Sequence, residues 1–459
     1  MATYPAEPLA EDDKLVDLVL ARQDRIPVWT LPYSYLFIVG IGYFFTFFDI
    51  VDIGYAMPAI AKQFTLTGSE VLFVALAIGL IGYVFGSILI GTISDRYGRY
   101  RVLLATLALT AIGSFLDATA TGIVTLTVWR FVTGMGVGAD LNLVSTYVGE
   151  LSPAAKRGRI SVITFIVGIL GQAITPFVAL ALVPNFDDGW RWLFVIGGLI
   201  ATIGVVARFK LPESPRWLAL HGRVAEAEEI VKLMEAGAAH RGIELPEPNV
   251  TMVSMEKERI PFRALLAPPY RRRLAILVAM WFCFYIGIYA FLGDAATLVS
   301  ATGTSVANSL LFIGIGAVGY PLGGIVMAFF ADMVERRLLI FISTVVWLIG
   351  MVVTGIHANS ELLTLGFFLA SFADALLLQV GYTYTAELFP TRARASGFAL
   401  SDGLGHAGGA VGALVLPAIV AATSFFMGFL AMGLVGLLAG VIALFGPRTK
   451  LRRLEEISR

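Results

Sequence analysis

The chain has 459 residues, 58% of them hydrophobic and 14% charged, with balanced acidic and basic side chains and a mean hydropathy of +0.82. Soluble domains carry about a quarter charged residues, so this composition excludes a string of soluble domains and indicates an all-α polytopic membrane protein. Zero formal net charge offers no broad basic surface for nucleic acid, and the single Cys283 leaves no internal disulfide framework or multi-cysteine metal site.

Residues 1–32 are polar and acidic, without the basic start and cleavage site of a signal peptide. They are expected to form a cytoplasmic N-terminal segment. A membrane-crossing helix needs about 20 mostly apolar residues. Twelve such runs lie near 33–60, 71–93, 102–123, 126–149, 160–184, 190–209, 274–300, 307–331, 338–356, 362–386, 397–421 and 424–446. They divide the chain into a six-helix bundle over 33–209, a linker over 210–273, a second six-helix bundle over 274–446 and a tail over 447–459. The linker contains the helical-looking VAEAEEIVKLMEAG. The runs are too long for barrel strands and lack alternation. With both termini inside, the outer loops receive only Lys62 and Arg191, and Arg130 lies within the fourth span. Basic residues concentrate on the inner side of membranes, so the expectation is a multi-pass protein of the plasma membrane with cytoplasmic termini.

An offset of 237 residues superposes the punctuation of the two halves. Asp95-x-x-x-Arg99 falls on Asp332-x-x-x-Arg336, and Glu150-Leu-x-Pro153-x-x-x-Arg157 on Glu387-Leu-x-Pro390-x-x-x-Arg394. Gly79-x-x-Gly82-Tyr83-x-x-Gly86 falls on Gly316-x-x-Gly319-Tyr320-x-x-Gly323, and Gly168 and Gly171 on Gly405 and Gly408. Two pseudo-symmetric parallel repeats suit a carrier that binds its solute at the repeat interface.

Four stretches carry a resemblance: GTISDRYGRYR after the second span, RFVTGMGVGAD in the fourth, LPESPRWL after the sixth and AELFPTRARASG after the tenth. In that order they resemble the major facilitator superfamily, in the branch of sugar porters, aromatic-acid and nicotinate carriers, organic-ion carriers and phosphate symporters. The resemblance implies two bundles rocking about a central cavity. There are departures. The seventh span, WFCFYIGIYAFLGDAATL, lacks the paired glutamines of sugar porters; GADLNLVS lacks the phosphate-symporter Gly-Asp-Tyr-Pro; ADMVERR has lost a glycine. The resemblance also implies a cytoplasmic gate of Asp95, Arg99, Glu150, Arg157, Glu213, Arg216, Asp332, Arg336, Glu387 and Arg394. The bland alternative is a set of exposed salt bridges, each worth little.

Inside the spans, Asp52 and Arg130 fall at matching depth at 1.5 Å per residue, with Asp49 one turn away. A carboxylate between an arginine, a like charge and a changing water content can switch its proton, and Asp52 and Arg130 match the acid and arginine of proton-linked sugar symporters. A static ion pair is the alternative. Asp140, Asn142, Gln172, Tyr285, Tyr289, Asp374, Gln379, Tyr382, Asp402 and His406 are candidates for the substrate cavity, or for bonds between helices. Asp402 and His406, four apart, can pair on one helix face. Gly134, Gly136 and Gly138 are read as helix-packing residues. Asp117 and Asp294 are placed near water at outer helix ends and left out of the site.

The chain shows no P-loop, zinc-binding His-Glu-x-x-His or nucleophile turn, so it is read as no enzyme, with no metal and no cofactor beyond protons as coupling ion. Interior acids outnumber the one clear interior arginine, which disfavours a multiply charged anion. The expected function is a proton-coupled symporter of a small organic solute, a sugar or an aromatic or nicotinate-type monocarboxylate. An uncoupled facilitator or an organic-cation carrier stands as the alternative, and a non-transporting sensor would need more docking surface than residues 209–273 offer. The expected partners are a small-molecule substrate and the lipid bilayer, with no nucleic acid, and the expected state is a monomer.

Overall fold

In the computed structural model, residues 11–67, 70–71, 77–153, 157–250, 265–268, 270–330, 333–356, 359–389 and 394–449 are described. Over these the chain forms α1 (Glu11–Asp24), α2 (Tyr33–Gln63), α3 (Ile78–Tyr97), α4 (Arg99–Ala118), α5 (Ile123–Leu151), α6 (Arg157–Leu182), α7 (Gly189–Arg208), α8 (Pro215–Leu220) and α9 (Val224–His240). There follow α10 (Tyr270–Ala301), α11 (Val306–Ala317), α12 (Gly319–Phe330), α13 (Arg336–Ile356), α14 (Ser360–Glu387), α15 (Arg394–Ala422) and α16 (Phe425–Leu444). Among the described residues, eleven helices are long and apolar enough to cross a membrane, counting α11 and α12 as one. The twelfth crossing is α5, whose Arg130, Asp140 and Asn142 make it less apolar than the rest.

Local chemistry sets several starts. Side chains of Ser305, Asn359 and Ser424 accept the backbone N–H three residues on, capping α11, α14 and α16. The eighth span is continuous in hydropathy, yet its helix is interrupted at Val318. The glycines of α5 let it sit deep between neighbours. A Cβ on Gly134 would strike the Gly79 carbonyl and one on Gly138 the Tyr83 carbonyl, both on α3.

Residues 33–208 pack mostly on one another, as do residues 270–444. The two sets meet where α3 lies on α15, α6 on α11 and α12, and α2 on α10. The first two contacts are equivalents under the 237-residue repeat. One face of the molecule carries a helical cap. Val19, Leu20, Trp217, Leu218 and Val231 form its core, where α1 packs on α8 and α9. The polar reading of residues 1–32 passed over this helix because its apolar stripe is short. Arg22 binds Glu235 and Glu228, Arg25 binds Glu235, and Arg216 pairs with Asp24. Arg22 and Arg25 hold the Glu235 carboxyl below the usual carboxylate range, the Arg22 hydrogen bond acting most.

Candidate functional site

Between the two sets of helices lies a narrow cavity with about 350 Å³ of empty space. Phe47 and Ile50 of α2 and Leu141 of α5 wall one side. Tyr285 and Tyr289 of α10 and Tyr382 of α14 wall the other. Gln172, Asp374 and His406 complete the polar lining. Six of the cavity candidates read from the sequence therefore converge: Gln172, Tyr285, Tyr289, Asp374, Tyr382 and His406.

Asp402 stands directly behind this lining. Its Oδ1 accepts from the Tyr285 hydroxyl (2.7 Å) and its Oδ2 from the Tyr83 hydroxyl (2.9 Å), so a tyrosine of α3 crosses to the other repeat. His406 is stacked on Tyr83 at 3.8 Å between ring centres. Its Nδ1 lies 2.8 Å from the Asp402 backbone carbonyl and 3.5 Å from the carboxylate. A carbonyl only accepts, so Nδ1 carries hydrogen, and the neutral ring keeps Nε2 as an acceptor. The expected Asp402–His406 pairing thus runs mainly through the backbone, while the carboxylate serves the two tyrosines.

Asn142, Gln379 and Asp140 do not line the cavity. Asn142 donates to the Gly138 carbonyl at 3.1 Å within its own helix. Gln379 is buried with no hydrogen-bond partner for its amide. Asp140 meets Arg208, a residue the sequence reading had counted among the inner-side cations. The pair is bidentate at 2.5 and 2.9 Å, both side chains are fully buried, and Thr106 donates to the same carboxylate at 3.0 Å. Among the described residues, two arginines lie in the interior of the spans, not one.

The other is Arg130. Its Nη1 lies 3.5 Å from Asp49, 3.5 Å from Asp52 and 3.4 Å from Asp117, all of them buried. Nη2 donates to the Asp49 carbonyl at 3.2 Å, and Thr133 donates to Asp117 at 3.0 Å. Asp52 Oδ2, Asp117 Oδ1 and Arg130 Nε are buried without a partner. The placement of Asp117 near water is corrected here: its side chain has no exposure, because it turns into the bundle toward Arg130. Asp294 is likewise buried, at 3% exposure. Asp117 and Arg130 flank one short connection, 119–122, on antiparallel helices, and the length of an arginine spans their difference in depth. That adjacency was the available signal.

On the capped face, Arg99 pairs with Asp95 at 2.6 Å and with Glu150 at 3.0 Å, and Arg336 with Glu387 at 3.4 Å. Glu213 accepts the backbone N–H groups of Arg99 (2.9 Å), Tyr100 (3.0 Å) and Ser214 (2.8 Å), capping α4 at its positive end. Burial nevertheless pushes the Glu213 carboxyl up. Arg216 belongs to the cap through Asp24. Asp332 and the side chains of Arg157 and Arg394 lie outside the described residues. Each described gate pair joins helices of the same repeat.

A central cavity at a repeat interface, two buried arginine sites and paired motifs on the capped face describe a carrier, and residues 33–459 match the Sugar (and other) transporter family. The chain belongs to that family. It is a multi-pass membrane transporter of the major facilitator superfamily and not an enzyme. The niacin transporter NiaP of Acinetobacter baylyi is 30% identical over 449 residues, 96% of this chain and 100% of that protein. The 4-hydroxybenzoate transporter PcaK of Pseudomonas aeruginosa is 26% identical over 396 residues, 84% of this chain and 86% of that protein. Among solved structures, the xylose transporter XylE of E. coli, in a partially occluded inward-open conformation, is similar with a TM-score of 0.74. Identity there is 21%, over 92% of this chain and 99% of XylE, a likeness of fold.

Proposed function

We propose that this transporter is a proton-coupled symporter of a small aromatic monocarboxylate of the nicotinate type, working by alternating access in the cell membrane with its helical cap and termini in the cytoplasm. The observation that carries this reading is the double duty of α2. Phe47 and Ile50 line the cavity, while Asp49 and Asp52, on the same two turns, meet Arg130. One guanidinium can neutralise one of three carboxylates, and an uncompensated buried charge costs several kcal/mol. Protons are the natural way to settle the remainder. A change in that occupancy alters what α2 must pack against, and therefore the shape of the cavity it walls.

The lining supports the solute class. Four aromatic walls suit the faces of a planar ring, and Gln172, Asp374 and His406 between them suit a single polar substituent. The names of the niacin and 4-hydroxybenzoate relatives point to the same class.

Purified protein in proteoliposomes with an alkaline lumen should concentrate labelled nicotinate or 4-hydroxybenzoate, and a protonophore should reduce this to equilibration. Asp52→Asn should lose the concentrating step and retain solute exchange. Uphill uptake surviving in that variant removes Asp52 from coupling. Uptake indifferent to the gradient makes the protein a facilitator, and transport of xylose alone returns the solute class to sugars.

A further inference from the structure

The cavity holds an acid that the protein supports only loosely. Asp374, on α14 and 1% exposed, lines the chamber, yet neither of its carboxyl oxygens has a hydrogen-bond partner. The groups around it come from several helices. Gln172 faces it from α6, near enough to bear on the carboxyl and on Tyr320, with its Nε2 outside hydrogen-bond geometry. Tyr289 of α10 and Tyr320 of α12 lie within electrostatic reach, and Tyr55 of α2 stands beside Tyr320. His406 shares the lining from α15 with Asp402 behind it, and α14 itself adds Tyr382. No arginine or lysine lines the cavity. The buried Arg208 and Arg130 are committed elsewhere, Arg208 to Asp140 and Arg130 to its three acids.

An ionised Asp374 would stand without a cation in a buried, aromatic-walled space, and an anionic solute beside it would double the fault. A proton resolves both. A neutral carboxyl has an O–H to donate, and a carboxylate is the strongest acceptor it could meet. We infer that Asp374 receives the solute as the neutral acid, donating its proton in a hydrogen bond to the carboxylate of a monocarboxylate, with the Gln172 amide as second donor. Solute and proton then occupy the cavity as a pair. No bond is broken beyond a possible shift of that proton along the hydrogen bond. The inference rests on the aromatic-monocarboxylate reading above and deepens it, because it names the group that meets the carboxylate. It differs from coupling at Asp52 in being a property of binding, present without any gradient.

The test is an equilibrium one, on full-length protein in detergent. Nicotinate, an anion over the whole range, and neutral nicotinamide are titrated calorimetrically from about pH 6 to 10; nicotinate affinity should be level at first, then fall about tenfold per unit once the empty cavity loses its proton. Nicotinamide affinity should stay level. Asp374→Asn, which keeps a donor but no titration, should bind nicotinate with a level profile. Should that variant not fold, His406→Gln replaces it: a nicotinate slope that persists there supports Asp374, and a slope that vanishes overturns the inference. A level nicotinate profile in the wild type overturns the inference, as does a slope that persists in Asp374→Asn, which would assign it to His406. Tight binding of a cationic pyridylmethylamine that strengthens with pH also overturns it, by making Asp374 a cation site. Absence of nicotinate binding at every pH overturns this inference and the solute reading together. Loss of uphill transport in Asp52→Asn with an unchanged binding profile fits both readings.

Discussion

Arg208 and Arg130 are two fully buried guanidinium groups with opposite accounts. Arg208 directs both terminal nitrogens to Asp140 at 2.5 and 2.9 Å and one of them also to the Leu103 carbonyl at 2.6 Å, a close bidentate pair that leaves only its Nε without a partner. Its removal leaves a naked carboxylate, so Arg208→Leu should cost about 3–5 kcal/mol. The double variant Arg208→Leu/Asp140→Leu should regain much of this, as read from thermal unfolding in detergent. Arg130 is instead divided among three acids, none closer than 3.4 Å, with partnerless atoms left around it. Such a site tolerates changes in proton number because no arrangement satisfies it fully. Asp117 draws part of the Arg130 charge away from Asp49 and Asp52. Asp117→Asn should therefore leave folding intact and move the pH of half-maximal solute exchange toward acid, by about one unit or less. An unchanged pH profile in that variant would make Asp117 a packing residue. The sequence placed Asp52 beside Arg130 correctly in depth, yet it missed Asp117, since hydropathy ranks a residue near a helix end as wet whichever way it points.

Helices α1, α8 and α9 form an element outside the spans whose stability follows pH with a definite sign. Glu235 is held low by Arg22 and Arg25, and Glu228 by Arg22 and Lys232. A carboxyl depressed in the folded state contributes stability above its ordinary value of about 4.3, and that contribution is lost as pH falls through the depressed value. The cap should accordingly stay docked at neutral pH and loosen below about pH 4, seen as rising amide exchange over 14–24 while the spans stay protected. Its anchor to the bundle is direct, since Gln23 donates to the Glu150 carbonyl at 2.6 Å, beside the Arg99–Glu150 pair. Among the spans, their number and approximate ends could be read from apolar length alone. The interruption at Val318 could not, for it occurs where Gly319 packs on the Phe368 carbonyl of another helix.

Alternating access requires contacts that part on one side and close on the other. On the side away from the cap the two sets of helices touch at Gly54 of α2, where a Cβ would run into the Leu292 carbonyl and the Gly293 Cα of α10. Gly54→Val should hold these helices apart there. Exchange should fall at least tenfold, while the melting temperature changes little, because Gly54 lies between the bundles rather than within one. Retained exchange would show that α2 and α10 need not close at this point.

Apolar run length set the twelve crossings, and a single offset of 237 residues revealed two matched halves, because both signals are local and additive along the chain. Depth was legible for the same reason: at a fixed rise per residue it follows from position in a run. The direction each side chain faces was not. In a bilayer the lipid side of a helix is as apolar as the protein side, so periodicity does not reveal which face turns inward. Tertiary packing alone could bring Tyr83 to Asp402, Asp140 to Arg208 and Asp117 to Arg130, and leave Asp374 in the cavity without a partner. Each of these depends on the rotation of one helix against another, a quantity that no stretch of the chain carries by itself.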